Sequence, residues 1–462
     1  MKKIGIIGAG AAGLIAADYL SKNMEADIAI FDAGKEVSKR HCPASDKFQY
    51  CAKCQPVCNI MCGVGGAGTF SSGILNLHPM IGGNLVELAG SKETAMDLIE
   101  EVEKFFLKYE SSIKLYDPDP DKSWELKRQA SRNGIEFIPI RQRLIGSDNS
   151  PKVIDKIFKD LKSKGIKFHT SILIEEINEN LSLTSSKGET FGPFDYLLAA
   201  PGRFGMVWLS EQAAKLDIKS RYESIDIGVR VELKSEIMQE ICSIQRDPKF
   251  HIFTKSRDDF VRTFCTNHEG FVVLEAYDDG TVGVNGQSFM NKKSRNSNFA
   301  LLTRVNLTAP LEDSTKFGKS IANIATTLGG GKPLIQRLRD LKEGRRSTLK
   351  RLKKSNVSPT LSFDAVTPGD ISLAYPGRII QDIIDALEQL DNVIPGVASN
   401  STLIYAPEIK FSAKKIETRD NTLETKIDGF YVAGDASGRT RGIIAAAVTG
   451  LIAARSIVDK SR

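Results

Sequence analysis

The sequence predicts an α/β protein: a three-layer domain around a parallel sheet, with a mainly antiparallel α+β domain inserted into it. Three observations carry the prediction. An apolar run at the amino terminus ends in a glycine-spaced turn, a second apolar run near residue 435 stops on an acidic residue and leads into a small-residue helix, and short β-patterned runs recur between them.

Composition bounds the rest. At roughly 100–200 residues per domain, 462 residues allow about two to four domains. With 41% hydrophobic and 26% charged residues the chain can bury a sizeable core, which excludes global disorder. Seven cysteines are too few for a disulfide scaffold of this length. Sixty-three Lys and Arg against 57 Asp and Glu leave +6, which does not mark a nucleic-acid binder. The opening MKKIGIIGAGAAGLIAA resembles a secretory leader, but three of its glycines fall in a spacing with a mechanical purpose, which argues against that reading, and its apolar stretch, 4–17, falls short of the roughly 20 residues that span a bilayer. The stretch 442–454 is short for the same reason. The expectation is a soluble, cytoplasmic chain with no membrane span.

Residues 3–7 read as a strand buried on both faces, and they run into Gly8-Ala9-Gly10-Ala11-Ala12-Gly13 and then an apolar helical pattern. In a Rossmann-type turn Gly8 permits the tight turn, Gly10 lets the backbone approach a pyrophosphate, and Gly13 lets helix and strand pack closely. A second strand, 26–31, ends at Asp32, 19 positions after Gly13, where a ribose 2′-hydroxyl would be held. A carboxylate there repels a 2′-phosphate. The turn alone does not separate FAD from NAD.

The far end separates them. Asp428-Gly429-Phe430-Tyr431-Val432-Ala433-Gly434-Asp435 reads as a strand stopping on an acid, followed by the polar loop 436–441 and a helix from Gly442 and Ile443 to about Ile457. This resembles the carboxy-terminal fingerprint of the flavoproteins with two dinucleotide-binding folds. The resemblance implies that Asp435 bonds the ribityl chain of FAD, and that the helix beginning at Gly442 points its positive end at the flavin pyrimidine. Asp195-Tyr196-Leu197-Leu198-Ala199-Ala200-Pro201-Gly202 resembles the strand and turn with which these proteins leave the FAD domain, with Ala-Pro-Gly in place of Ala-Thr-Gly. Pro201 suits a sharp exit. The resemblance also implies FAD contacts at Ala11, Ala12, Ala33, Arg40, Ala200 and Gly202.

Five cysteines crowd together: Cys42, Cys51, Cys54, Cys58 and Cys62. The last four read C-x2-C-x3-C-x3-C, neither a ferredoxin spacing nor two zinc-ribbon knuckles. Thiols this close suit a 4Fe–4S cluster or Zn on Cys42, Cys51, Cys54 and Cys58, with Cys62 as the alternative ligand; a redox dithiol and unligated thiols are the competing readings. Next comes Gly63-Val64-Gly65-Gly66-Ala67-Gly68-Thr69-Phe70 with no apolar strand before it, so it is not a second Rossmann turn. It looks like the flavoprotein loop that passes the pyrophosphate and isoalloxazine, through Gly66, Ala67, Gly68 and Thr69. A narrower resemblance, to the bacterial and archaeal FAD-dependent dehydrogenases, rests on CGVGGAGTFSSGILN at 62–76, VRTFCTNHEGFVV at 261–273, VNGQS at 284–288, YAPEIKF at 405–411 and GDASGRTRGIIAAA at 434–447. It implies a fold and a cofactor but assigns no substrate.

The expected organisation is an FAD-binding domain in three pieces (1–90, 141–204, 401–462), a helical insertion at 91–140 and a substrate domain at 205–400. Helices are predicted over 91–110, 154–164, 318–328 and 334–341, and strands over 225–233, 251–254, 271–276, 281–284 and 297–308. Residues 337–354 hold nine basic and two acidic side chains, which points to an electron-carrier protein or another anionic partner or, more blandly, to a solvated face. Five histidines show no paired metal spacing; His78, Arg439 and Arg441 stand out because they flank the flavin loops.

The function expected is an FAD-dependent oxidoreductase passing hydride or electrons through flavin N5 to or from a small-molecule substrate, linked to a cysteine-ligated Fe–S centre. Alternatives are a flavoprotein that modifies RNA or a carrier-bound substrate, and a non-catalytic flavin redox sensor. No catalytic residue is assigned.

Overall fold

The structure is a computed structural model and describes residues 1–43, 54–277, 279–289, 291–310 and 312–462. The chain divides into two compact units, the first made of Met1–Leu115, Arg143–Glu223 and Ala413–Arg462, the second of Tyr116–Gln142 and Ser224–Ser412.

The first unit is built on a five-stranded parallel sheet in the order Phe430–Val432, Tyr196–Ala199, Lys2–Ile7, Ala26–Asp32, Lys167–Thr170. Its apolar runs lack hydrophobic–polar alternation because both faces are buried. Ile4, Ile6, Ile28, Ile30, Leu198 and Tyr431 join one core with the helices Ala11–Asn23, Lys92–Tyr109, Ser150–Ser163 and Ile443–Ser461. Ile7, Ala29, Phe31, Leu197, Ala199 and Phe430 face the other core, shared with the helix Met206–Lys215 and the strands Ile174–Ile177 and Leu183–Ser185. Helices, parallel sheet and covering elements make the three layers predicted. The helix Lys92–Tyr109 starts where the sequence places it because the Ser91 hydroxyl accepts from the Thr94 N–H, an N-cap.

The second unit carries an eight-stranded sheet, antiparallel except for one short pair at its edge, in the order Thr367–Pro368, Leu334–Arg337, Leu403–Lys410, Ile225–Lys234, Asn296–Val305, Phe260–Asn267, Lys249–Phe253, Ile135–Ile138. Alternate residues of Ile225–Lys234 (Ile225, Ile227, Val229, Val231, Leu233) enter the apolar core with the helix Gly377–Asp391. Asp226, Arg230 and Glu232, at the intervening positions, are also buried.

The sequence predicts a helix over 334–341, whereas the structure makes a strand at Leu334–Arg337 and a short helix only at Leu338–Lys342. Pairing Leu334 with Ala406 and Ile335 with Tyr405 buries both apolar side chains, and tertiary burial outweighs local helical preference. Two ten-residue helices, Met206–Lys215 and Ser235–Ile244, fall between the predicted elements and are not anticipated from the sequence. Among the described residues no helix is long and apolar enough to cross a membrane.

The carboxyl of Asp382, on Gly377–Asp391, is buried, accepts from Thr254 Oγ1 at 3.3 Å and is flanked by Asp259, which pairs with Arg378. Burial, and then the Asp259 charge, push its pKa from 3.8 up to about 6. The native state therefore binds more protons than the unfolded chain between about pH 4 and pH 6, and loses stability as pH rises through that window. Asp382→Asn should raise the melting temperature most above pH 7, with the gain shrinking toward pH 4, in thermal scans at matched ionic strength.

Candidate functional site

The sequence-predicted residues of the first unit converge on the amino-terminal ends of its first and last helices. Gly8 sits at φ +98°, and a Cβ there would lie 2.2 Å from the carbonyl oxygen of Ala200, so the turn and the exit strand touch backbone to backbone. Gly450, inside the last helix, approaches the first in the same way: its Cβ would lie 2.1 Å from Ala12 O. That contact brings Gly434 to Ala12, where a Cβ on the glycine would meet Ala12 Cβ at 3.4 Å.

The second glycine loop closes over the first. Gly65 N–H donates to Ala9 O at 2.7 Å, a Cβ on Gly66 would lie 3.2 Å from Gly10 Cα, and one on Gly68 would lie 3.2 Å from Ile443 Cγ1. Gly10, Gly66, Gly68, Gly434, Ala12 and Ile443 thus gather from four distant segments. Asp32 ties the edge of this group, its two oxygens accepting from Ala9 N–H and Gly34 N–H at 2.8 Å each. A carboxylate has about four acceptor sites, so capacity remains for a ribose hydroxyl.

Arg40 is the hub. Its side chain is buried, and all five of its N–H groups are used: Nε donates to Asn59 O, Nη1 to Val64 O and Thr69 Oγ1, Nη2 to Ile60 O and Gly66 O, at 2.6–3.1 Å. With no donor left over, Arg40 shapes the loop and supplies charge, rather than offering a free fork to a phosphate. Burial pulls its pKa down to about 10, which leaves it cationic at neutral pH.

Asp435 lies in the loop before the last helix. Oδ1 accepts from Thr440 Oγ1 at 2.9 Å and Gly442 N–H at 3.3 Å, and Oδ2 lies 3.4 Å from Arg203 Nε. Thr449 Oγ1 receives Gly434 N–H at 2.8 Å. Arg203 and Thr449 escape the sequence reading because neither falls in a motif. Arg439 is half-buried and donates to Thr418 Oγ1 at 2.7 Å, His78 Nδ1 accepts from Met80 N–H at 3.2 Å, and Arg441 N–H donates to Gly82 O at 2.6 Å. These three are held by neighbouring loops.

The cradle fits a dinucleotide. Neither the 13-residue first helix nor the 19-residue last helix is capped by its own N-cap residue, a glycine in both, or has an acidic residue in its first turn, so beyond the Gly442 N–H that Asp435 accepts, both positive ends carry uncapped N–H groups. A Cβ on Gly10 would meet only Gly66 Cα, at 3.9 Å, and one on Gly442 or Gly202 would meet nothing within 4 Å. Space is left beside the backbone at all three positions.

Cys51 lies outside the described residues. Cys58 and Cys62 are joined through the backbone, Cys62 N–H donating to Cys58 O at 2.9 Å, and they flank the carbonyls of Asn59 and Ile60 that Arg40 holds. Among the described residues no three His, Cys, Asp or Glu side chains are grouped to hold a metal ion.

In the second unit, three of the stretches behind the family resemblance meet around Arg230. Its guanidinium pairs with both oxygens of Glu408 at 2.5 and 2.7 Å, and donates to Asn285 Oδ1 and to the Cys265 carbonyl. Glu408 also pairs with Lys410 at 3.0 Å. Arg230 lies outside the motif stretches, but an arginine within the apolar run IDIGVRVELK was a legible signal. The basic run divides in two. Asp340 engages Arg337, Arg345 and Ser347, Glu343 engages Arg339 and Arg345, and Glu388 engages Lys342. Arg346, Lys350, Lys353 and Lys354 are exposed, with no side-chain partner among the described residues.

Residues 224–410 match the family model described as "FAD-dependent protein, C-terminal domain-like". Over those residues the chain is similar to FAD-dependent proteins. Residues 370–462 match a second model, "Glucose inhibited division protein A". An "Uncharacterized protein" of Clostridium beijerinckii (strain ATCC 51743 / NCIMB 8052) is 25% identical over 473 residues, covering 98% of this chain and 80% of the relative. Among solved structures, glycine oxidases from Geobacillus kaustophilus and Bacillus cereus ATCC 14579 align over all of this chain and 95% and 96% of theirs, each at 11% identity, with TM-scores of 0.40 and 0.41.

Proposed function

We propose that the protein is an FAD-dependent oxidoreductase that oxidises or reduces a small-molecule substrate. The observation that carries this reading is the meeting of two uncapped helix amino termini over the open glycines Gly10 and Gly442, beside the carboxylates Asp32 and Asp435. The FAD-dependent family match supports it.

In this reading the backbone at Gly10, Ala11, Ala12 and Gly13 receives the pyrophosphate, Asp32 and Ala33 the adenosine ribose, and Asp435 the ribityl hydroxyls. The cofactor supplies two-electron hydride chemistry at N5. The amino terminus of Ile443–Ser461 stabilises negative charge nearby, since its N–H groups and dipole are oriented before any charge develops. Arg40 holds the 63–69 loop rigid, which keeps water and backbone motion from spoiling that orientation.

The electron partner we assign to the surface around Arg346, Lys350, Lys353 and Lys354 is an acidic carrier protein, because these cations are exposed without a side-chain partner among the described residues, whereas Arg337, Arg339, Lys342 and Arg345 pair with Asp340, Glu343 and Glu388. An Fe–S or zinc centre on Cys42, Cys51, Cys54, Cys58 or Cys62 has only the cysteine spacing in its favour.

The protein purified with excess FAD should retain about one flavin per chain, seen in its absorbance spectrum, and Gly10→Leu should weaken FAD binding at least about tenfold, or 1.4 kcal/mol. A colourless protein, or unchanged affinity in the variant, removes the reading. Reduction of an acidic ferredoxin by the reduced holoprotein should slow steeply with rising salt and with Lys350→Glu/Lys353→Glu. Salt-independent rates exclude that surface.

A further inference from the structure

The second unit has a cleft that the flavin reading does not use. It encloses about 340 Å³ and runs along the start of the helix Pro120–Arg132, between Pro118, Pro120 and Pro139. Its volume lies within the range of small-molecule sites, about 300–1,000 Å³. Four features of its lining point to one kind of ligand.

Trp124 is 67% exposed, although its large ring is the kind of surface that folding normally covers. Prolines on the walls fix the backbone, so the ring faces a preformed slot rather than a mobile loop. Lys127 lines the same cleft, exposed, with no hydrogen-bond or ion-pair partner among the described residues. Among the described residues Arg141 is engaged only by the exposed Asp117 at 3.4 Å, a contact of small worth in water. Ser123, only 5% exposed, lines the cleft, and its Oγ has no partner among the described residues. A buried hydroxyl without a partner costs stability that a bound acceptor would restore. The positive end of the 13-residue helix adds to the same side, although the Asp119 side chain caps the Lys122 N–H.

We infer that this cleft binds a small planar aromatic ring carrying an anionic group, with the ring stacked on Trp124, the anion at Lys127 and Arg141, and an acceptor oxygen at Ser123. A nucleoside monophosphate and an aromatic carboxylate share that chemistry. The cleft shares no residue with the proposed flavin site, so the inference survives or fails independently of the proposed oxidoreductase activity.

The chain has two tryptophans, which makes the test direct. In FAD-saturated holoprotein carrying Trp208→Phe, emission from Trp124 is titrated with adenosine 5′-monophosphate in one arm and benzoate in the other. The expected result is saturable quenching in at least one arm, weakened about tenfold or more by Lys127→Ala and by Arg141→Ala. Saturation by the nucleotide alone names a nucleotide site, and saturation by benzoate alone names an aromatic acid site. Quenching that does not saturate in either arm, or that both cation variants leave unchanged, overturns the inference.

Discussion

Several segments of the first unit pass so close to one another that a single β-carbon would not fit. The turn at Gly8 lies against the Ala200 carbonyl, and the last helix at Gly450 lies against the Ala12 carbonyl. These are backbone-to-backbone contacts, so no side-chain rotation relieves them. They fix where the amino terminus of Ile443–Ser461 stands relative to that of Ala11–Asn23, and with it the gap between two uncapped helix ends. Everything assigned to FAD depends on that gap.

Polar groups then hold the loops that the glycines allow. Arg40 spends every donor on the segment 59–69, and Asp32 spends one acceptor site of each oxygen on Ala9 and Gly34. Both side chains act on the cradle by shaping backbone. The second unit uses the same device on its sheet. Arg230 and Glu408 are fully buried and paired through two hydrogen bonds, an arrangement in which loss of Glu408 strips Arg230 of its paired carboxylate and costs about 3–5 kcal/mol.

Much of this was legible in the sequence, for definable reasons. The strands at 2–7, 26–32, 196–199 and 430–432 show as short apolar runs (4–7, 28–31, 196–199, 430–432) because those residues are buried on both faces, and a glycine or aspartate within the next few positions marks where each ends. Gly10, Gly66 and Gly434 could be named because close approach demands small residues in fixed spacing, and Ile443 because it opens the helix after the acidic loop. What stayed hidden depends on partners distant in sequence. Leu334 and Ile335 suit a helix as well as a strand until Leu403–Lys410 pairs with them. The role of Arg40 as a loop hub was unreadable because four of its five acceptors are backbone carbonyls, which every residue carries. The basic run at 337–354 gave its charge but not its internal pairing, since Asp340 alone offsets two arginines and takes the Ser347 hydroxyl.

The central claim is that helix-to-helix contact at Gly450 sets the cradle. The direct measurement is FAD affinity, by flavin fluorescence, of Gly450→Ala and Gly450→Val in protein whose circular dichroism matches the parent. Because the added carbon would press on Ala12 backbone atoms at 2.1–2.8 Å, affinity should fall for alanine and further for valine. Flavin binding that is equal in all three proteins would contradict the account.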